Sequence, residues 1–583
     1  MSKAIYIVHR SKILSSEEVQ DRLYQICERL TPDNLSGEHS HTIHMEADTA
    51  MGVSLSTDSS KVQGRSILIG KLYEDEKFNW ETVGGVKPDG SYALIRADSA
   101  LTELVTDGLA TRTLWYYKDK DWFICSTSQR AIIQWIGTFE FNRAVVPWML
   151  STGALGPEFS WDKRIMRVKP NSSVVLDKKN WVLTENWQKI VFKEKNISRE
   201  EHKKELSNSI RQTFEHLSNL DFNKWLLPLS GGYDSRAILC LLKKRVSSDK
   251  INTVTWGDKA ALEVEGNDAK IATELAEILD VKNQYFYTDK REESIDTVLN
   301  RFLRCGEGRT DRVAGYIDGM KIWKSFYENG TEGIIRGDEA FGWLSINSYE
   351  SVIHLLEFTT CNDFSNLAHI CEKYNFPKQE IPDYIARSEN ESLENWRDRL
   401  YQTYRIPTKL AAMSDIKLSY VEVITPFLSK RILETVRQLP SELRSDKKLF
   451  TEVSDEITPD FPIASLGANT NLKNVLSNNE VIQHLLNEIQ SEKAESIFDM
   501  EFIDFVKQSI ERNSKGPNNV KKQLKKYIAI VLPKAAKRWI RKKAPLPKLS
   551  SVILLFRVYI IVKMVNILTE DARAVLIQET NKS

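Results

Sequence analysis

The chain carries almost no net charge: 81 lysines and arginines stand against 80 aspartates and glutamates. So even a balance leaves no chain-wide field to attract a polyanion, and nothing in it points to nucleic acid as a partner. Cysteine is scarce as well. The six, Cys27, Cys125, Cys240, Cys305, Cys361 and Cys371, include no C-x-x-C or other ligand spacing, and read as reduced, mostly buried thiols of a cytoplasmic protein. No run of ~20 uncharged apolar residues exists to span a bilayer. The opening Met1-Ser2-Lys3-Ala4-Ile5-Tyr6-Ile7-Val8 is too short and too quickly charged for a signal peptide, and looks like a first strand. Internal repeats and low-complexity tracts are missing too. At 583 residues more than one core is expected, as two domains with added elements.

One further absence lies inside the most informative stretch. Leu226-Leu227-Pro228-Leu229-Ser230-Gly231-Gly232-Tyr233-Asp234-Ser235-Arg236 runs from an apolar strand through two glycines into the helical pattern Ala237 to Leu242. Glycines let backbone approach an anion, and the N–H groups opening a helix aim positive charge at it. No Gly-Lys-Ser/Thr follows, so this is not a Walker loop. The stretch resembles the PP-loop of ATP pyrophosphatases, which split ATP into AMP and pyrophosphate while adenylating a substrate.

Composition divides the chain near residue 195. Before it lie short β-type runs bounded by turn residues, such as Ser66 to Gly70, Ser91 to Ile95 and Trp122 to Ser126; after it strands alternate with helical stretches, as in a parallel α/β sheet. The charged stretch Lys193 to Lys204 suits a linker. Domains are expected at 1–192 and 200–545, with an apolar and basic tail at 546–583.

Within the second half, Ile251 to Gly257, Gln284 to Tyr287 and Glu332 to Gly337 suit further sheet strands. The nucleotide would lie at their carboxyl ends, against Leu229, Ser230, Gly231, Gly232, Asp234, Ser235, Thr255, Trp256 and Gly337. Asp234 and Asp338 are placed to hold Mg2+ with ATP phosphates, since that ion takes hard oxygen ligands. For Asp338-Glu339 a plain helix cap is the competing reading.

Three motifs in order, Ser230 to Ser235, Gly337-Asp338-Glu339-Ala340-Phe341-Gly342 and Val421-Glu422-Val423-Ile424-Thr425-Pro426-Phe427-Leu428, resemble the synthetase domain of the asparagine synthetase B superfamily. Asp89 to Leu94, Asp107 to Tyr117 and Ile165 to Pro170 are similar to later strands of the same family's glutaminase-like domain. The resemblance covers residues 1 to about 540. It implies an α/β chain with an N-terminal glutaminase-like αββα sandwich, followed by a parallel-sheet PP-loop domain that uses ATP and Mg2+. The family's catalytic lysine corresponds to Lys447, in Lys447-Lys448-Leu449-Phe450-Thr451-Glu452, where a fixed ammonium would stabilise charge building on phosphorus and on a tetrahedral intermediate.

Departures from the family matter as much. Glutamine-hydrolysing members place cysteine after the initiator Met, and this chain has Ser2; the family's Asn-Gly pair is replaced by Ile69-Gly70-Lys71-Leu72-Tyr73. Glutaminase activity is expected to be lost, as in β-lactam and carbapenam synthetases and lasso peptide cyclases. Where the family carries Glu or Tyr near the reacting amine, this chain reads Ile334-Ile335-Arg336. A substitute base is Glu307 in Arg304-Cys305-Gly306-Glu307-Gly308-Arg309-Thr310-Asp311-Arg312, unless that run is a surface loop of paired charges. Arg236 and Arg336 either face phosphates or pair with Asp338 and Glu339.

The C-terminus interleaves Lys521, Lys522, Lys525, Lys526, Lys534, Lys537, Arg538, Arg541, Lys542 and Lys543 with apolar residues, and continues into the apolar Val552 to Val565, which contains Arg557 and Lys563. It would either pack on the synthetase domain or lie on the inner membrane surface. The resemblance implies an amide ligase that adenylates a carboxylate. Its substrate would be a peptide, with or without a leader-bearing precursor as in lasso cyclisation, or a small molecule, including a sugar acid amidated with ammonia. A catalytically inactive nucleotide-binding scaffold is the reading from a different class.

Overall fold

A computed structural model describes residues 3–75, 77–469, 471–514 and 546–582, with the side chains of 512–514 and 575–582 left aside. Ser2 and the basic run from Lys521 to Lys543 lie outside the described residues.

The fold is α/β. Two six-stranded antiparallel sheets form the N-terminal sandwich. In spatial order the first holds Met166–Arg167, Trp115–Lys118, Trp122–Ser126, Lys3–His9, Thr49–Ser54 and Thr42–Glu46. The second holds Val182–Trp187, Ser172–Asp177, Leu101–Thr106, Gly90–Ala97, Ser66–Leu72 and Ser60–Gln63. The period of two explains the layers: Ala4, Tyr6 and Val8 face Ile67, Ile69, Ala93 and Ile95 of the second sheet, while Ile5 and Ile7 face Leu23 and Ile26. Those two belong to helix Glu17–Leu30, started by Ser16, whose hydroxyl accepts the Val19 N–H.

The C-terminal half is built on a five-stranded, all-parallel sheet in the order Lys282–Tyr287, Asn252–Gly257, Trp225–Pro228, Gly333–Ile335, Glu422–Ile424. Trp225–Pro228 is therefore central, with crossover strands on both sides. That arrangement creates a switch point at its carboxyl end, where α/β folds bind ligands. The expected linker is not slack. Lys193 and Lys195 donate their N–H groups to Arg437 and Gln438 carbonyls at 2.9 Å, and Ser198 and Glu201 form a capping box that opens helix Arg199–Leu217.

The expected C-terminal tail is a long helix, Ser551–Lys582, and part of the core. Leu554, Leu555, Phe556, Val558, Tyr559, Ile560, Ile561 and Val562 are all fully buried. The helix packs against Gln129–Ile136 of the sandwich and Asn479–Ile489 of the second half, so it joins the two. Its stretch Ser551–Ala574 is long and apolar enough to cross a membrane by composition, and 67% of that window is buried inside the protein. Its internal charges are matched. Arg557 donates to Asp311 at 2.8 Å and to the Leu150 carbonyl, and Lys563 lies 3.5 Å from Asp296 and 3.3 Å from Glu488.

Candidate functional site

The loop after the central strand is folded by its own hydroxyls. Ser235 Oγ accepts the Ser230 N–H at 3.0 Å and lies 2.9 Å from Ser230 Oγ, which accepts the Gly232 N–H at 3.3 Å. Gly232 then caps helix Tyr233–Lys243 without a side-chain bond, leaving the helix's first N–H groups at the loop's mouth. The Gly231 N–H is taken by the Asp268 carboxylate at 2.9 Å. A Cβ on Gly231 would lie 2.8 Å from Ala464 Cβ and 2.9 Å from Ile271, so the glycine serves the packing of the loop's outer side.

Two further elements reach the loop. Gly337 follows the strand Gly333–Ile335, and a Cβ there would stand 3.0 Å from Asp234 Cβ and 3.3 Å from the Ser235 nitrogen. The bare glycine lets the next strand's end approach this closely, and with it come Asp338 and Glu339. No helix begins at Asp338, so the capping alternative falls away. The second element is the turn before helix Lys448–Asp455, where Asp446 and Lys447 both adopt left-handed backbone at φ 58° and 55°. Non-glycine residues rarely do so without being held. Here Asp446 receives the Ser345 N–H at 2.9 Å and donates its own N–H to the Trp343 carbonyl, while buried Arg444 and Arg397 both bond Asp398.

That turn delivers Lys447. Its ammonium sits 3.1 Å from both Asp234 oxygens and 2.8 Å from Glu339 Oε1. Lys448 instead lines a polar cavity of about 800 Å3 with Glu394, Glu442 and Glu452. That ammonium faces two carboxylates of different exposure, Glu339 buried and Asp234 partly open to solvent. Burial pushes Glu339 up to about 7 despite Lys447. Asp234 is also raised by burial, with Lys447 opposing and Asp338 adding to it. Burial alone would lower Lys447, but Glu339 and Asp234 outweigh it and hold the lysine above its ordinary value.

Asp338 is gripped by the Arg336 guanidinium through two 3.1 Å bonds. Arg236 does not face phosphates; it donates to the Phe461 and Pro462 carbonyls at 2.7 Å. Thr255 and Trp256 point elsewhere than the sequence suggests. The Thr255 hydroxyl donates to the Leu229 carbonyl at 3.0 Å, and the Trp256 ring packs edge-on against Trp323 at 5.5 Å. Only their backbone lies at the strand end. Leu229 donates its N–H to the Val254 carbonyl at 2.8 Å, tying the loop's start to that neighbouring strand.

Glu307 is the main correction. It is 2% exposed and far from the loop in partners: its carboxylate accepts the Ser128 hydroxyl and the Gln129 N–H, at the start of helix Gln129–Ile136 in the sandwich. In the rest of that run Arg309 also reaches the sandwich, through Thr113. Arg304 bonds Glu570, Arg309 bonds Asp415 and Thr113, and Arg312 bonds Glu357. Its charges are paired, but buried for the most part rather than on a surface loop. Glu307 is therefore no base for the loop, and proton removal there falls to another group, to water or to the substrate. Tyr401 was missed in the sequence; it is buried, packs on Trp343 at 4.6 Å, and has its hydroxyl pKa raised by burial and by Glu339, Asp338 and Asp234. Its signal was hidden because it opens an otherwise ordinary helical stretch, Tyr401–Leu410, with widened π-type turns.

Asp234 and Asp338 offer hard carboxylate oxygens beside the loop's N–H groups, a donor set that fits Mg2+ accompanied by phosphates. Two other His and carboxylate groups among the described residues suit a metal less. In Glu28, His39 and His41, the Nδ1 of His41 accepts the Leu55 N–H at 3.2 Å, so its proton sits on Nε2, the atom that faces Glu28 at 2.8 Å. In Asp296, His484 and Glu488, the Lys563 ammonium already contacts both carboxylates.

No protein-family model and no curated protein matches the chain. Among solved structures it is similar to an NH3-dependent NAD synthetase from Campylobacter jejuni in complex with nitrate ion, at 15% identity over 28% of this chain and 62% of that one, with TM-score 0.15. It is also similar to the glutamine phosphoribosylpyrophosphate amidotransferase from B. subtilis complexed with ADP and GMP, at 9% identity over 49% of this chain and 65% of that one, with TM-score 0.19. The chain spans less than two thirds of the length of either. Likenesses this low carry no argument about function, which rests on the geometry above.

Proposed function

We propose that the protein is an ATP-dependent amide ligase that adenylates a carboxylate, releases pyrophosphate, and passes the acyl group from AMP to an amine. The observation that carries this reading is the Lys447 ammonium held between Asp234 and Glu339 at the mouth of the Ser230 to Ser235 loop. In this reading the N–H groups that open helix Tyr233–Lys243 and the Ser230 and Ser235 hydroxyls cradle the departing pyrophosphate. Asp234 and Asp338 hold Mg2+, which neutralises phosphate charge when bound. Lys447 is close enough to both to leave its carboxylates for the α-phosphate oxygens, and it then stabilises the oxyanion formed as the amine attacks. Glu339 keeps the lysine in place when the substrate is gone.

A peptide closed on itself, with or without a precursor leader, is one substrate class; a sugar acid taking ammonia is another, and would suit a protein working in the cytoplasm near the inner membrane surface. A nucleotide-binding scaffold without turnover is the second reading, favoured by the Gly231 N–H being bonded to Asp268 and by Arg336 holding Asp338. The test is to give purified protein Mg-ATP and a source-cell extract and to score AMP and pyrophosphate beside Asp234→Ala. Formation of both, lost in the variant, supports the ligase; tight ATP binding with no AMP above the variant supports the scaffold.

A further inference from the structure

A second cleft lies away from the loop, between the outer face of the second sandwich sheet and helix Lys430–Arg437, and encloses about 570 Å3. Such a volume suits a metabolite-sized ligand. Its charge is uneven. Lys87 and Lys189 enter from the sandwich and Lys430 and Arg437 from the helix, against Glu103 and Glu434. Glu103 is already engaged, accepting the Gly84 N–H at 2.8 Å and lying 3.7 Å from Arg96. Three lysines and an arginine therefore face one uncommitted carboxylate.

The guanidinium is incompletely bonded. Arg437 Nε donates to Gln402 Oε1 at 2.9 Å, but its Nη2 is buried without a hydrogen-bond partner, as is the Nε2 of the 1% exposed Gln402. Burial lowers Arg437 to about 10, against Glu434, and lowers Lys87, against Glu103.

We propose that this interdomain cleft binds a small organic anion of at least two negative charges, a phosphate ester or a polycarboxylate, clasped by Arg437 with Lys87, Lys189 and Lys430. The site also has a route to the loop. Gln402 follows Tyr401, which packs on Trp343 beside the Asp338 and Glu339 loop. An anion that draws on Arg437 thus pulls on the stretch that carries Tyr401, and would change turnover at the first site. That last effect rests on the proposed ligase reading; binding itself does not.

The test uses the full chain and no ATP: isothermal titration with citrate and with glucose 6-phosphate as probes, on wild type, Arg437→Gln, Lys430→Gln and Lys447→Ala. Lys430 is exposed, so its variant keeps the fold even where Arg437→Gln is damaged. The proposal predicts saturable binding of at least one probe, weakened tenfold or more in both cleft variants and unchanged in Lys447→Ala. It is overturned if neither probe binds, if binding survives both cleft substitutions, or if binding is lost in Lys447→Ala, which would put the anion on the loop.

Discussion

Lys447 and Asp234 are 213 positions apart in the chain and meet with both carboxylate oxygens 3.1 Å from the ammonium. The contact depends on a left-handed turn at Asp446 and Lys447 and on the bare backbone of Gly337. The strained turn is held by its surroundings, the Ser345 N–H and the Trp343 carbonyl that bond Asp446.

Replacing the lysine therefore separates chemistry from fold. Lys447→Ala should lower turnover by about 100-fold or more, the scale of losing one charge-stabilising group. Circular dichroism should show the fold intact, because Asp234 and Glu339 can take up protons once unpaired. Turnover within a few-fold of wild type would remove Lys447 from the chemistry.

Glu339 gives the site a pH signature. Its folded value of about 7 lies above its ordinary 4.5, so between those values the folded chain holds a proton that the unfolded chain has released. Its contribution to stability is present below the unfolded value and is lost as pH rises through about 7. Melting temperature measured from pH 5 to 8 should fall less steeply with pH in Glu339→Gln than in wild type. Parallel curves would show that Glu339 ionises at its ordinary value.

Glu307 should behave as a structural acid. Glu307→Ala strips the acceptor from Ser128 and Gln129 and leaves the nearby Lys3, 3.9 Å away, without its counter-charge. A loss of about 3 kcal/mol in stability is expected, the cost of breaking a buried pair. Turnover per folded molecule should be unchanged, and a tenfold drop would restore Glu307 as a catalytic group.

Arg557 tests the role of the C-terminal helix. Arg557→Met leaves Asp311 without its guanidinium in a site where it is 2% exposed. Denaturant unfolding should show a loss of about 3–5 kcal/mol. A stability within 1 kcal/mol of wild type would mean that the helix docks without this pair.

What the sequence discloses and what it hides divide on range. The loop, its flanking strand and helix, and Gly337-Asp338-Glu339 are local patterns, in which apolar runs end at glycines beside hydroxyl and carboxyl groups. The run Arg304 to Arg312 misleads because its charges suggest solvent, while Ser128, Asp415 and Glu357 lie far off in sequence. Packing of the last segment as a helix is among the readings the sequence offers, but the partners of its Arg557 and Lys563, namely Asp311, Asp296 and Glu488, are set only by folding. Thr255 and Trp256 were legible as a strand end, but the direction of their side chains follows from the register against Lys282–Tyr287.

The most direct measurement of the central claim is phosphorus NMR of Mg-ATP incubated with the purified chain and source-cell extract, beside Lys447→Ala. The account predicts cleavage between the α- and β-phosphates, with AMP and pyrophosphate rising in wild type and suppressed in the variant. ADP and orthophosphate as the only products, or AMP formed equally by both proteins, would contradict it.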